Sequence, residues 1–119
     1  SHTLNNIQIS QSQIGVLNTG SIQRIDAAIT LSKGSDAEQI GALINDFTQA
    51  VIQSKELDTT RLNEIIDLTE TLAEEVVGKR RPATITAVMK AIAEKVSGVA
   101  ALVSAADSLW QAIRPLLPA

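Results

Sequence analysis

A chain of 119 residues, 45% of them hydrophobic, has material for one domain with a real core and too little for two comfortable ones. Its net charge of −3 and pI near 5.0 provide no concentrated basic surface of the kind a phosphate backbone requires, so no nucleic-acid partner is expected. Cysteine is absent, which excludes disulfides and thiolate chemistry and leaves the redox compartment unread. No signal peptide is visible. The leading Ser1-His2 reads as a tag remnant, and a start inside a strand-like segment suggests a domain cut from a longer, cytoplasmic protein.

Residues 4–32 are read as short strands. Ile7 and Ile9, then Ile14 and Val16, then Ile25, Ala27, Ile29 and Leu31 are each spaced by two, the period that lines one face of a pleated strand. Gly15 and Asn18-Thr19-Gly20 punctuate the sets, because Asn and Gly tolerate the positive φ angles of tight turns. Within Ser21–Lys33 the spacing of Ile22, Ile25 and Ile29 also suits a helix; the strand reading is preferred. Residues 5–23 carry no charge and no proline, so such strands would leave an edge open to another strand. Intermolecular strand pairing is the expectation, and docking of the strands on a helix of the same chain is the alternative. Amyloid stacking is less favoured, since only one such stretch is present.

From Lys33 the pattern becomes helical. Ser35-Asp36-Ala37-Glu38 has the form of a capping box, and Ile40, Leu43, Ile44, Phe47 and Val51 make one apolar stripe running to about Ser54. A second helix begins near Asp58–Thr60, buries Leu62, Ile65, Ile66, Leu72 and Val76, and stops at Gly78, a residue suited to the left-handed position after a helix end. Pro82 fits the first position of a third, where a missing amide hydrogen costs nothing. Beyond it Ile85, Met89, Ile92, Val96, Val99, Val103, Ala106, Trp110 and Ile113 recur by four and three, the seam of a coiled coil or long bundle helix. One helix through Gly98, bent there at most, is expected, ending at Pro115 and Pro118.

Such a helix would be about 50 Å long, against about 27 Å for each of the two before it. Its second half, residues 96–113, holds a single charge, Asp107, and needs cover from the strands, another copy of the chain or a membrane. The expected fold is therefore α+β and mostly α: one domain over 1–119, with short strands at about 4–32 and a three-helix bundle over 35–114 whose last helix is long.

Motifs for chemistry are weak. Gly15–Ser21 has the spacing of a phosphate-binding loop but lacks the lysine, and a turn is the better reading. Glu64, Asp67, Glu70, Glu74 and Glu75 lie opposite the apolar stripe of the second helix, where a solvated face is favoured over a metal or acid–base site. Lys79-Arg80-Arg81 is read as a cap on the carbonyl end of that helix rather than an anion site. No catalytic residue, cofactor or metal is expected, and the chain is read as not an enzyme.

The strand-like SQIGVLNTGSI together with a helical part ending in AADSLWQAIRPLL resembles accessory domains of bacterial multidomain proteins of signalling and conflict-type systems. The resemblance covers most of the chain and carries over no functional residue. The expected function is homo-oligomerisation or protein interaction, with Ile7, Ile9, Ile14, Val16, Ile22, Val99, Val103 and Trp110 at the contact between subunits. The alternative is a membrane-active helical effector that uses the apolar 96–117 segment. Its serines and glutamine, and the lack of a cationic face, weigh against it.

Overall fold

The computed structural model describes residues 2–118, and of residues 2 and 3 the backbone alone. The chain is mostly α, with five α-helices among the described residues: α1 (Thr19–Ser32), α2 (Glu38–Gln53), α3 (Thr59–Val77), α4 (Pro82–Lys95) and α5 (Ala100–Ile113). Among the described residues the strands are β1 (His2–Thr3) and β2 (Gln8–Ile9), which pair antiparallel with His2 opposite Ile9 and Thr3 opposite Gln8.

The strand reading of 4–32 is thus corrected over most of its length. Residues 11–13 form a 3-10 turn, and residues 19–32 are helix. Asn18 starts α1 by accepting the Ser21 N–H at 3.3 Å, which makes Asn18-Thr19-Gly20 a helix start rather than a hairpin turn. Burial follows the helical period: Ile22, Ile25, Ala28 and Ile29 face inward, while Ala27 is exposed and Leu31 is 70% exposed.

What survives of the alternation is Ile7 and Ile9, both buried, with Gln8 outward between them. Asp26 of α1 holds this segment. Its carboxylate accepts the backbone N–H groups of Asn5 at 3.2 Å, Asn6 at 2.8 Å and Ile7 at 2.9 Å. The Asn6 amide returns the contact by donating to the Asp26 carbonyl and the Thr30 hydroxyl. At Gln8 the outward backbone groups are taken from within the chain: Gln8 N–H donates to Gln49 Oε1 at 2.8 Å, and Gln49 Nε2 donates to the Gln8 carbonyl at 2.9 Å.

α2 and α3 match the sequence closely. Ser35 Oγ accepts the Ala37 N–H at 3.0 Å and the Glu38 carboxylate accepts the Gly34 N–H at 3.2 Å, so neither bond of the expected Ser35–Glu38 box forms; α2 starts at Glu38 after Ala37, which offers no side-chain cap. Asp58 caps α3 by accepting the Arg61 N–H at 2.8 Å. Gly78 ends α3 but with φ of −110°; the left-handed residue is Arg80, at φ +52°. Arg80 is held there by donating Nε to the Val76 carbonyl at 2.8 Å and pairing with Asp36 through both terminal nitrogens.

The expected long helix is two. Gly98, at φ +88°, turns the chain, and α5 starts at Ala100 after Val99. The phase of the apolar pattern does break at that turn. A single helix would bury Val103 and Trp110 with Ala106 and Ile113, whereas α5 buries Leu102, Ala106, Leu109 and Ile113 and leaves Val103 45% exposed and Trp110 half-buried. With the helix folded back, the greatest dimension of the chain is 43 Å and its radius of gyration 13.3 Å, close to the roughly 13.5 Å of a compact domain this long. The overhang disappears.

α3 packs on α1 and on α4, and α2 packs on α5 and α1. Phe47, Ile65, Ile66 and Leu72 lie at the centre without solvent contact. The two buried threonines, Thr48 and Thr69, return their hydroxyls to the carbonyls of Ile44 and Ile65 in the preceding turn.

Candidate interaction surface

α4 rests on α3 and α5 on α2, and the two have little contact with each other. Their junction is fixed from below. Arg61, on the first turn of α3, donates to the Lys95 and Ser97 carbonyls, the latter at 2.7 Å, and Lys95 Nζ lies 3.1 Å from Glu64. The helices therefore diverge from the Ser97-Gly98 turn and leave a groove of about 360 Å³ between them.

Met89, Val96 and Ala106 form the buried base of this groove, while Val103 and Trp110 stand partly exposed on the α5 wall. Thr86, Lys90 and Ala93 are exposed on the α4 wall and Asp107 on the other. Lys90 is in no ion pair among the described residues. Asp107 accepts the side-chain amide of Gln111 at 2.8 Å. An apolar concavity with two opposite charges on facing walls is suited to taking another apolar helix face.

The residues expected at a subunit contact fall into two groups. Ile7, Ile9, Ile22 and Val99 are buried within the single chain. Ile14 at 39% exposure and Val16 at 52% lie on the surface between the 3-10 turn and α1, and Val103 and Trp110 line the groove. Sequence reasoning did not single out Met89, Lys90 and Asp107 for this surface. The available signal was a second stripe on α5, residues 103, 106, 107 and 110, lying beside the more apolar stripe of Leu102 and Leu109.

Elsewhere polar clusters tie helices together. Asp67 accepts from Asn18 Nδ2 at 2.6 Å and from Ser21 Oγ at 2.9 Å, and Glu70 pairs with Arg24 at 2.6 Å, so two of the acidic residues read as a solvated face join α3 to α1. Glu75 is buried and pairs with Arg81, whose side chain and backbone N–H hold its carboxyl below the usual glutamate range. Arg80 does cap the α3 carbonyl end, as the basic cluster implied. No group of three His, Cys, Asp or Glu side chains among the described residues is placed to hold a metal, and no helix among them is long and apolar enough to cross a membrane.

No known protein family, no curated protein and no solved structure matches the chain.

Proposed function

We propose that this chain is a non-enzymatic module for self-association, acting in the bacterial cytoplasm as an accessory domain, with the α4–α5 groove and not the N-terminal strands as its contact surface. The observation that carries the reading is the α5 stripe of Val103 and Trp110, which the chain's own core leaves uncovered beside the apolar base of Met89 and Ala106. The strands have less to offer a partner, because Gln49 takes the outward groups of Gln8 and Asp26 those of residues 5–7.

Trp110 reports on this reading directly, since the chain has one tryptophan and no tyrosine. Association should move its emission to shorter wavelength as protein concentration rises, and dilution should reverse the shift. A spectrum that stays the same across the concentration series, with acrylamide quenching also unchanged, would contradict the proposal.

A further inference from the structure

We infer that the occupant of the α4–α5 groove is the same groove of a second copy, in a two-fold arrangement that sets Lys90 of each subunit against the partner's Asp107. The inference rests on the self-association reading and specifies its geometry. In a two-fold contact the same patch serves both subunits, so a surface must complement itself: where residue i meets residue j, j also meets i. The groove meets that condition. Its walls present one stripe each at the same helical spacing, Thr86, Met89, Lys90 and Ala93 on α4 and Val103, Ala106, Asp107 and Trp110 on α5. The cation and the anion occupy equivalent places in the two stripes and stand at similar distances along the chain on either side of Gly98. A copy mated about a two-fold axis parallel to the groove sets each α4 against the partner's α5, and so brings Lys90 to the level of the partner's Asp107 twice, once on each side of the axis.

Within one chain the two charges have not satisfied each other, as Lys90 has no ion pair among the described residues and Asp107 has only the Gln111 amide. Ala93 and Ala106 add room for close approach of helices, and Trp110 supplies a large rigid side chain to enter the facing concavity. The four helices of two copies would close into one bundle, covering the stripe that each leaves open.

Charge reversal tests this arrangement. Lys90→Glu and Asp107→Lys are exposed substitutions, and helical circular dichroism with thermal melting checks that each remains folded. Each single reversal places like charges together at two sites and should weaken the dimer about tenfold or more. The double variant restores opposite charges and should recover affinity to within about threefold of the unmodified chain. If the unmodified chain dimerises but the single reversals leave its affinity unchanged, the copies meet through another face; self-association stands and this geometry falls. Weakened single variants with no recovery in the double would also overturn it, because the charges then do not face each other. A chain that stays monomeric, or that binds anionic vesicles in flotation instead of a second copy, removes both the geometry and the reading beneath it.

Discussion

Asp26 lets the packing of the N-terminal segment be tested by one substitution. Its carboxylate, 3% exposed, accepts three consecutive backbone N–H groups and has no cation among its hydrogen-bonding partners. In Asp26→Ala the N–H groups of Asn5 and Asn6 can turn to water, since Asn5 is exposed and Asn6 half-buried; the Ile7 N–H, attached to a residue with no solvent contact, cannot. A hydrogen bond to a charged group contributes about 1.5–3 kcal/mol, and the two recoverable bonds add roughly 0.5–1 kcal/mol each. Removing a buried carboxylate also relieves part of its desolvation cost, so the net loss is about 2–3 kcal/mol. For a domain of this length that lowers the melting temperature by about 10 °C. Thermal melting followed by circular dichroism measures the loss, and amide hydrogen exchange locates it: Ile7 and Ile9 should lose protection well before the centre of α3. A variant melting within about 2 °C of the parent, with the Ile7 amide still protected, would refute the assignment of Asp26 as the anchor.

Gly41 on α2 faces Ser32 at the end of α1, where an added Cβ would collide with the serine hydroxyl and stand 2.9 Å from its Cβ. Ser32 is buried with its hydroxyl bonded to the Ile29 carbonyl, so Gly41→Ala should destabilise by about 1–2 kcal/mol even after the helix-propensity gain of roughly 1 kcal/mol. Adding Ser32→Gly should recover part of that loss in a denaturant titration; no recovery would mean that the two helices do not meet there. Acid should destabilise the fold through Glu75 and Asp36, whose carboxyls are held low, Glu75 by Arg81 and Asp36 by Arg80. With folded values below the ordinary ~4 of the unfolded chain, their contribution is complete above that value and is lost as pH falls through the folded ones. Melting temperature should therefore drop below about pH 4, and less steeply in Glu75→Gln; an acid limb identical in that variant would remove Glu75 from the explanation.

α2 and α3 were legible because each carries a clean 3.6-residue stripe, joined in α3 by the aspartate start at Asp58 and the break at Gly78. α1 was misread because isoleucine and alanine at 25, 27, 29 and 31 satisfy a period of two as well as Ile22, Ile25 and Ile29 satisfy the helix, and Asn-Thr-Gly serves equally as turn or cap. The exposure of Leu31 shows which period won, since a strand would have placed it with Ile29. In the last third, a four-and-three repeat runs on paper through Gly98. A left-handed residue at the turn lets the chain resume on a different stripe, and the loss of phase cannot be seen when Leu102 and Val103 are both apolar neighbours. The groove was illegible for the same reason. It exists because α4 and α5 lean on different helices, which depends on contacts of α3 and α2 far away in sequence.

Whether two copies associate decides the role of the α4–α5 groove, and sedimentation equilibrium of the unmodified chain measures this without a label or a variant. The expected result is a mass approaching twice 12.6 kDa at high concentration and falling toward 12.6 kDa on dilution, in step with the red shift of Trp110 emission. A mass of 12.6 kDa at every concentration would contradict it and leave the α4–α5 groove without a second copy to fill it.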